Sequence, residues 1–462
     1  MNSAQHLKTA IVVGSGLAGL SAANQIIAHD IPVLLLERSP KPGGNSIKAS
    51  SGINGAPTPY QPVPDEQFYA DTTKSAGRAM ESFTNHRQKL IQALTGQSAS
   101  AINWLVHEKD VDLSHVAILG GHSVPRTHRG KGNTPPGFAI ISALRKSLES
   151  SSLFRLRTEC TVTKILKHHS RIDGVEFTCK DGSMQKAFGP VVFAAGGFGG
   201  DAEGLLAKYR PDLSCFPSTN DPRPGAQPLL TSIGAQLLDM EMVQVHPTGL
   251  IDPVHPDLSL KFLAAEVLRG EGGILLHDGK RFVNELDTRE NVTNAITALT
   301  STKISPKQWD INLVLDEGTY EAVKSHVDFY IFKRLMEKTT ISKLGSSALE
   351  TIKKYCGSVS GEQKDEFGRT NHSNWNLKEA TSESVVYVGR VTPVVHFTMG
   401  GVVIDEKARV VDERGEWIEG LWAVGEVTGG IHGANRLGGS SLLECVVFGR
   451  VAGDQCAEYI RN

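Results

Sequence analysis

Hydrophobic and polar residues follow different periods in successive parts of the chain, and each period predicts an element. Near the start, Ala10-Ile11-Val12-Val13 is a short apolar run, and Gly14-Ser15-Gly16-Leu17-Ala18-Gly19 follows it. Leu20, Ala23 and Ile27 then recur at helical spacing, and a second run, Ile31 to Leu36, ends in Glu37. The pattern predicts strand, glycine turn, helix and strand. Residues Glu66 to about His107 are polar and helix-like. From Phe154 to Phe188 short alternating segments, with a turn at Gly182, predict a small β-meander. Val191 to Ala194 then returns to a buried strand that runs into Ala195-Gly196-Gly197. Asp201 to Leu238 reads as helical, broken at Asp221-Pro222-Arg223-Pro224-Gly225. Met240 to about Thr381 has its own apolar segments, with polar helical stretches between Lys307 and Tyr355. From Val386 onward strand and glycine return: Leu421 to Glu426 is a strand into a turn, and Gly438-Gly439-Ser440-Ser441 opens a helix through Leu442, Val446 and Val447 to Ala452.

The opening unit carries candidate chemistry. Its glycines suit a tight turn, close backbone approach to a pyrophosphate, and close helix–strand packing. The helix N-terminus offers free N–H groups and partial positive charge to phosphates. Glu37, eighteen residues after Gly19, is placed to accept from ribose hydroxyls. The loop that follows, Gly43-Gly44-Asn45-Ser46 and then Ser51-Gly52-Ile53-Asn54, is rich in small residues and backbone donors that let a flat ring and phosphates come close. The second glycine-ended strand, separated from the first unit by a meander, argues for FAD over NAD. The expected fold is therefore α/β: an FAD-binding, Rossmann-like three-layer domain in two pieces, 1–240 and 386–462, around an inserted α+β capping domain, 241–385.

Composition removes other classes. The chain has 462 residues, 40% hydrophobic and 21% charged, ordinary for a globular protein with a large core. A net charge of -2 gives no electrostatic case for nucleic acid or an anionic membrane as partner. The six cysteines show no CxxC or CxxCH spacing, so neither an iron–sulfur cluster nor a c-type haem is expected, and no metal site is. Scattered single cysteines, a short polar N-terminus without a leader pattern, and no apolar span or C-terminal retention signal lead to an expectation of a cytoplasmic protein.

Later segments bring histidines and arginines close to glycines or sharp turns. These are Gln244-Val245-His246-Pro247-Thr248-Gly249, Ala265-Glu266-Val267-Leu268-Arg269-Gly270, Arg281 to Arg289, His396-Phe397-Thr398-Met399-Gly400-Gly401, and His432 to Gly439. Read as chemistry, Arg436, His396 and His246 suit clamping a small dianion, which needs forked, permanently charged donors plus donors that can be protonated. Glu266 and Arg269, three apart, would share one face of a helix. In this order the segments resemble the fumarate reductase/succinate dehydrogenase flavoprotein family, nearest to its soluble single-chain fungal fumarate reductases, over nearly the whole chain. The resemblance implies hydride transfer from N5 of reduced FAD to one alkene carbon of fumarate, with Arg289 donating the proton to the neighbouring carbon. It makes Glu266 and Arg269 the relay that reprotonates Arg289. The implied cofactor-binding set extends from the glycine turn, Glu37 and the loop to Arg38, Val162, Ala195, Gly196, Gly197, Phe397, Gly425, Glu426, Arg436, Gly439, Ser441 and Leu442. The helix starting near Ser441 would aim its N-terminal dipole at the flavin, and the cap would close over the substrate.

Three departures from the family pattern matter. Membrane-bound members tether FAD through a histidine in the loop matching Ser50-Ser51-Gly52; none lies there, so FAD is expected to be non-covalent. Arg223-Pro224-Gly225-Ala226 stands where the family has Thr-Gly-Asp-Gly, and Ala265 stands where some relatives have a threonine that grips a carboxylate. With no attached haem or flavin-transfer domain, reduced free flavin or a separate reductase is the expected electron donor. Two alternatives stay open from sequence: a related FAD enzyme acting on another activated alkene, and a flavin-binding protein whose turnover is impaired around Asp221 to Ala226.

Overall fold

The computed structural model describes residues 9–132 and 134–462. The reading of a leaderless N-terminus concerns Met1 to Lys8, which lie outside the described residues.

The opening pattern folds as strand Ala10–Val13, helix Leu17–Ala28 and strand Val33–Leu36. Continuous apolar runs make strands that are buried on both faces, as a parallel sheet covered by helices requires. Among the described residues, nine strands form this sheet. Phe154–Arg157, Val33–Leu36, Ala10–Val13, Val191–Phe193 and Trp417–Ala423 lie side by side, all parallel. The predicted meander is Cys160–His168, Arg171–Cys179 and Met184–Phe188, antiparallel and joined to the sheet's far edge. Phe154–Arg157, assigned to the meander from its alternation, instead extends the parallel sheet beside Val33–Leu36. The short Thr158-Glu159 turn lets the chain leave one sheet edge and begin the hairpin. Asp201 to Leu238 is only sparsely helical: Leu205–Tyr209 and Gln227–Thr231 are its α-helices, and Leu237–Leu238 is a strand. Pro211, Pro217, Pro222 and Pro224 remove backbone donors and bar a longer helix.

A second, antiparallel sheet orders Phe262–Leu263, Val243–Leu250, Val385–Thr398, Ile311–Leu315 and Ile274–Leu276, with Glu337–Thr340 also paired to Val385–Thr398. The strand Val385–Thr398, which the sequence reading placed almost wholly in the returning dinucleotide-binding piece, is the spine of this sheet. Its long apolar stretch pairs on both edges, which a simple return to the parallel sheet would not have used. Just beyond it, Gly401–Val403 pairs with Leu237–Leu238 and with Thr428–Gly429, so one continuous segment passes from one unit to the other. A buried bidentate pair, Arg87 to Asp239 at 2.8 and 3.1 Å, fixes the Thr84–Gly96 helix against the same crossing.

At the first turn two glycines are required by space. Gly14 has φ +101°, and a Cβ there would lie 2.3 Å from the Ala194 carbonyl oxygen. A Cβ on Gly19 would lie 1.9 Å from the Gly14 oxygen. We predict that Gly14→Ala lowers stability by about 1–3 kcal/mol through overpacking and backbone strain. Gly96→Ala, which meets open space, should stay within about 0.5 kcal/mol of the parent. Denaturant unfolding of both variants is the measurement; equal midpoints would contradict the packing.

Candidate active site

A cleft of about 1500 Å³ opens at the carboxyl ends of the parallel strands and reaches under the antiparallel sheet. Small-molecule pockets usually span about 300–1,000 Å³, so this cleft has room for a dinucleotide with a smaller ligand beside it. Gly14, Ser15, Gly16, Leu17 and Ala18 line it at the first turn, with Glu37 and Arg38 at the end of the second strand. Gly44, Asn45, Ser46, Ser51 and Gly52 line it from the following loop. Val162, Ala195, Gly196, Gly197, Phe397, Glu426, Arg436, Gly439, Ser441 and Leu442 complete the expected set that reaches the cleft. Gly19, Gly43, Ile53, Asn54 and Gly425 do not line it. Gly19 packs the helix on the turn. Asn54 is fully buried and donates to the Gly438 carbonyl at 2.8 Å and to Ser440 Oγ at 2.9 Å, so it holds the turn that others present.

The cleft suits an anionic cofactor. The helices Leu17–Ala28 and Ser440–Arg461 both start on it; neither N-cap residue, Gly16 or Gly439, supplies a side-chain hydrogen bond, and Ser46 Oγ accepts from Leu17 N at 3.3 Å. Uncapped first turns facing a cavity leave N–H donors for phosphate-like groups. The Glu37 carboxylate accepts from Ser15 N at 2.9 Å, from Ser15 Oγ at 2.5 Å and from Ser39 N at 2.7 Å. It therefore clamps the glycine turn as well as facing the cleft, and its remaining lone pairs are what a ribose hydroxyl would use. Burial, followed by the nearby Arg223, presses the Arg38 guanidinium down to about 10.

At the inner end of the cleft two arginines converge on one acceptor. Gln244 Oε1 accepts from Arg289 Nη1 at 2.9 Å and from Arg436 Nη2 at 3.0 Å. Its amide nitrogen donates to Asn435 Oδ1 at 2.9 Å and to the Arg436 carbonyl at 2.8 Å. Arg289 is the first residue of the helix Arg289–Thr297, whose N-cap Thr288 accepts from Asn291 N. Arg289 Nε and Nη2 both donate to Glu266 Oε2, the former at 2.9 Å. Arg436 also donates to the Leu437 carbonyl at 3.0 Å and lies 4.4 Å above the Phe397 ring, while its Nε is buried without a partner. Burial, then the charge on Arg289, lowers the Arg436 guanidinium to about 9. Burial alone would raise the Glu266 carboxyl, but Arg289 and Arg269 bring it down to about 2.

The structure places Arg269 in contact with a different neighbour than expected. It is buried, donates from Nη1 to the Glu285 carbonyl at 2.6 Å, and leaves Nε and Nη2 unpartnered. Its backbone N–H donates to the Glu266 carbonyl at 3.1 Å, and its charge acts on the Glu266 carboxylate through space, but no side-chain hydrogen bond joins the two among the described residues. The helix predicted to align them is a single short one, Val267–Gly270, with Glu266 as its N-cap. Glu266 and Arg269 thus share one helical turn, while the Arg269 guanidinium spends its hydrogen bond on the Glu285 carbonyl.

His246 and His396 lie on adjacent strands with ring centroids 5.5 Å apart. Pro247 interrupts the ladder, and the register shifts between His246 and Gly249, which re-aims the side chain as a bulge does. Burial, followed by the charge on Arg289, holds both histidines well below the ordinary range, so both are neutral. His246 Nδ1 accepts from Thr248 N at 3.2 Å, which puts the proton on Nε2, a buried donor with no partner. His396 Nδ1 pairs with Thr219 Oγ1 at 3.0 Å. The expected protonatable donors are thus neutral N–H donors. Arg289, His396 and Arg436 line the cleft; His246, Glu266 and Arg269 stand behind it.

Sequence reasoning missed Gln244 as a site residue, although it quoted the segment that contains it. Strand alternation was a usable signal, because residues two apart share a face and Gln244 precedes His246 by two. Thr219, Asn435 and His122 gave no such signal. His122 Nε2 donates to the Gly438 carbonyl at 3.1 Å, and Arg126 donates to its Nδ1 at 2.9 Å.

The chain matches the family described as FAD binding domain over residues 9–442. It is 45% identical to fumarate reductase 1 of Saccharomyces cerevisiae, across 98% of this chain and 99% of that protein. It is 40% identical to the fumarate reductase of Schizosaccharomyces pombe, across 96% and 88%. Its fold superposes on a flavocytochrome c3 fumarate reductase solved in an open conformation with a TM-score of 0.78 and 30% identity, covering 99% of this chain and 79% of the other. The chain belongs to the FAD binding domain family, among the flavoprotein oxidoreductases that include these fumarate reductases.

Proposed function

We propose that this chain reduces fumarate to succinate, with FAD as a non-covalent resident cofactor. The observation that carries the reading is the pair of buried guanidiniums, Arg289 and Arg436, that share a single neutral acceptor at the inner end of the cleft. Arg289 and Arg436 have one hydrogen-bonded carboxylate, Glu266, between them, and Arg436 Nε and His246 Nε2 are buried donors without a partner. A four-carbon dicarboxylate supplies two charges and two forked acceptors of matching geometry. The relatives named above are fumarate reductases by name, which points to the same substrate.

FAD, when bound, supplies the hydride. The residues do the rest. Arg436 and His396 hold carboxylates at the cleft wall and, with the alkene gripped at both ends, one carboxylate is turned out of conjugation. Arg289 faces the adjacent carbon as proton donor. A guanidinium is a weak acid, but a carbon bearing developing negative charge is a strong base, and the same cation stabilises that charge. Glu266, kept ionised, orients Arg289 through two hydrogen bonds and returns a proton to it. Arg269, whose charge acts on Glu266 and whose Nε and Nη2 are without a partner, is the outer member of that path. The capping unit, taken as residues 241–385, excludes water when it closes.

Electrons come from a reduced free flavin or a separate reductase. Exposed Leu258, Leu260, Phe262 and Phe329 line the outer cleft, with Lys324 and Lys333 beside them. Apolar and aromatic walls rimmed by cations suit a planar anionic donor. A chain whose six cysteines are all thiols suits the cytoplasm, and no helix among the described residues is long and apolar enough to cross a membrane.

Anaerobic reoxidation of reduced viologen by fumarate tests the reading directly; a yellow protein that shows none would overturn it. Arg289→Ala should keep FAD and lose roughly 10³-fold or more in kcat. A loss below about tenfold would remove it from the acid role. Arg436→Ala should raise KM by about 30-fold or more, corresponding to at least about 2 kcal/mol of lost charge pairing, with kcat changed less. An unchanged KM would contradict the clamp. Glu266→Gln should lower kcat by about 10²-fold while KM moves little; the opposite split would make Glu266 a substrate contact.

A further inference from the structure

Outside the site just described, one pair of nucleophiles is held in contact. Cys160 and Cys179 sit directly opposite on the hairpin strands Cys160–His168 and Arg171–Cys179, with sulfurs 3.3 Å apart. Cys160 N donates to the Glu37 carbonyl and Cys179 N donates to the Ser183 carbonyl, so the two cysteines do not exchange backbone hydrogen bonds. Opposed residues of that kind bring their Cα atoms to roughly 4.5 Å, inside the span a disulfide bridges. Closing the sulfurs to about 2.05 Å is within the reach of side-chain rotation.

The pair is accessible from one side and consequential on the other. Both cysteines line a shallow surface hollow of about 460 Å³ together with Arg157, Lys180 and Asp181. Cys179 is half-buried, and Arg157 Nη2 donates to its sulfur at 3.2 Å. Cys160 is buried and also lines the cofactor cleft, as do its neighbours Thr161 and Val162. Its N–H is bonded to Glu37, whose carboxylate clamps the glycine turn through Ser15. Cys160 therefore borders both the hollow and the cleft.

We infer that Cys160 and Cys179 are a thiol-redox modification site, converted by hydrogen peroxide into a reversible cross-strand disulfide on the Glu37 side of the cofactor cleft. The sulfur of Cys179, which faces the hollow, attacks one peroxide oxygen; the O–O bond breaks, one oxygen leaves as water, and Cys179 becomes a sulfenic acid. The Cys160 sulfur then displaces the hydroxyl group, which leaves as a second water while the S–S bond forms. Two thiols are oxidised by two electrons and one peroxide is reduced to two waters. An external dithiol reverses the step by exchange. The other four cysteines lack this arrangement: Cys215 is exposed with the Asp212 carbonyl near its sulfur, Cys356 and Cys456 are buried, and Cys445 is half-buried on the cofactor cleft with no sulfur paired to it.

The test uses the FAD-loaded protein as isolated. Hydrogen peroxide is added in graded amounts, remaining thiols are alkylated, and the digest is mapped by mass spectrometry without reduction. The expected result is a linked peptide joining residues 160 and 179, lost on adding dithiothreitol, while Cys215 carries only single modifications. In Cys160→Ser protein the same treatment should leave Cys179 as a sulfenic acid that dimedone traps. Recovery of both Cys160 and Cys179 as alkylated thiols in the parent, or of Cys179 over-oxidised with Cys160 still a thiol, would overturn the inference.

Discussion

Buried positive charge without equal compensation is the constraint on which the inner site depends. Arg289 is hydrogen-bonded to Glu266, whereas among the described residues Arg436 has hydrogen bonds only to neutral acceptors, a glutamine oxygen and a backbone carbonyl, and lies over Phe397; the Glu426, Glu266 and Glu444 carboxylates act on it only through space. Removing a guanidinium from water is costly, and a buried cation is ordinarily paired. Gln244 makes the arrangement tolerable, because one amide oxygen takes a hydrogen from each cation and its nitrogen ties back to Asn435 and Arg436. The neutrality of both histidines follows first from their burial and then from the same crowding, since cations already present hold off further protonation.

The fold supplies this arrangement from distant parts of the chain. The antiparallel sheet contributes Gln244, His246 and His396 from two paired strands, and the helix that starts at Arg289 brings its first side chain to the same point. Arg436 comes from the loop before the last helix, whose uncapped end faces the cofactor cleft. The crossing strand Val385–Thr398 is what makes one rigid site of these pieces, since it pairs along the capping sheet and ends beside Phe397 at the cleft.

Much of the scaffold was legible because its elements are local. Strand, glycine turn and helix at residues 10–28 follow from apolar runs and glycine spacing, and the meander follows from alternation. What failed was long-range. Alternation in Phe154–Arg157 does not say which sheet a strand joins, and a prolonged apolar stretch does not say which unit owns Val385–Thr398. At the site, residue types were readable from motif order, whereas their wiring was not. The spacing of Glu266 and Arg269 suggested a shared helix face, yet the chain there makes one short turn and Arg269 turns toward Glu285. Gln244 is uncharged and looks like filler in a strand until two arginines are seen to meet on it.

The sharpest measurement concerns charge alone. Succinate and its monoamide differ by little in shape and by one negative charge. Their affinities for the oxidised FAD-loaded protein can be read by titration of the flavin absorbance. An under-compensated pair of guanidiniums predicts that the dianion binds at least about 30-fold more tightly, the equivalent of about 2 kcal/mol for a desolvated charge pair. Affinities equal within about threefold would mean that the inner cleft does not read charge, and the buried cations would need another partner.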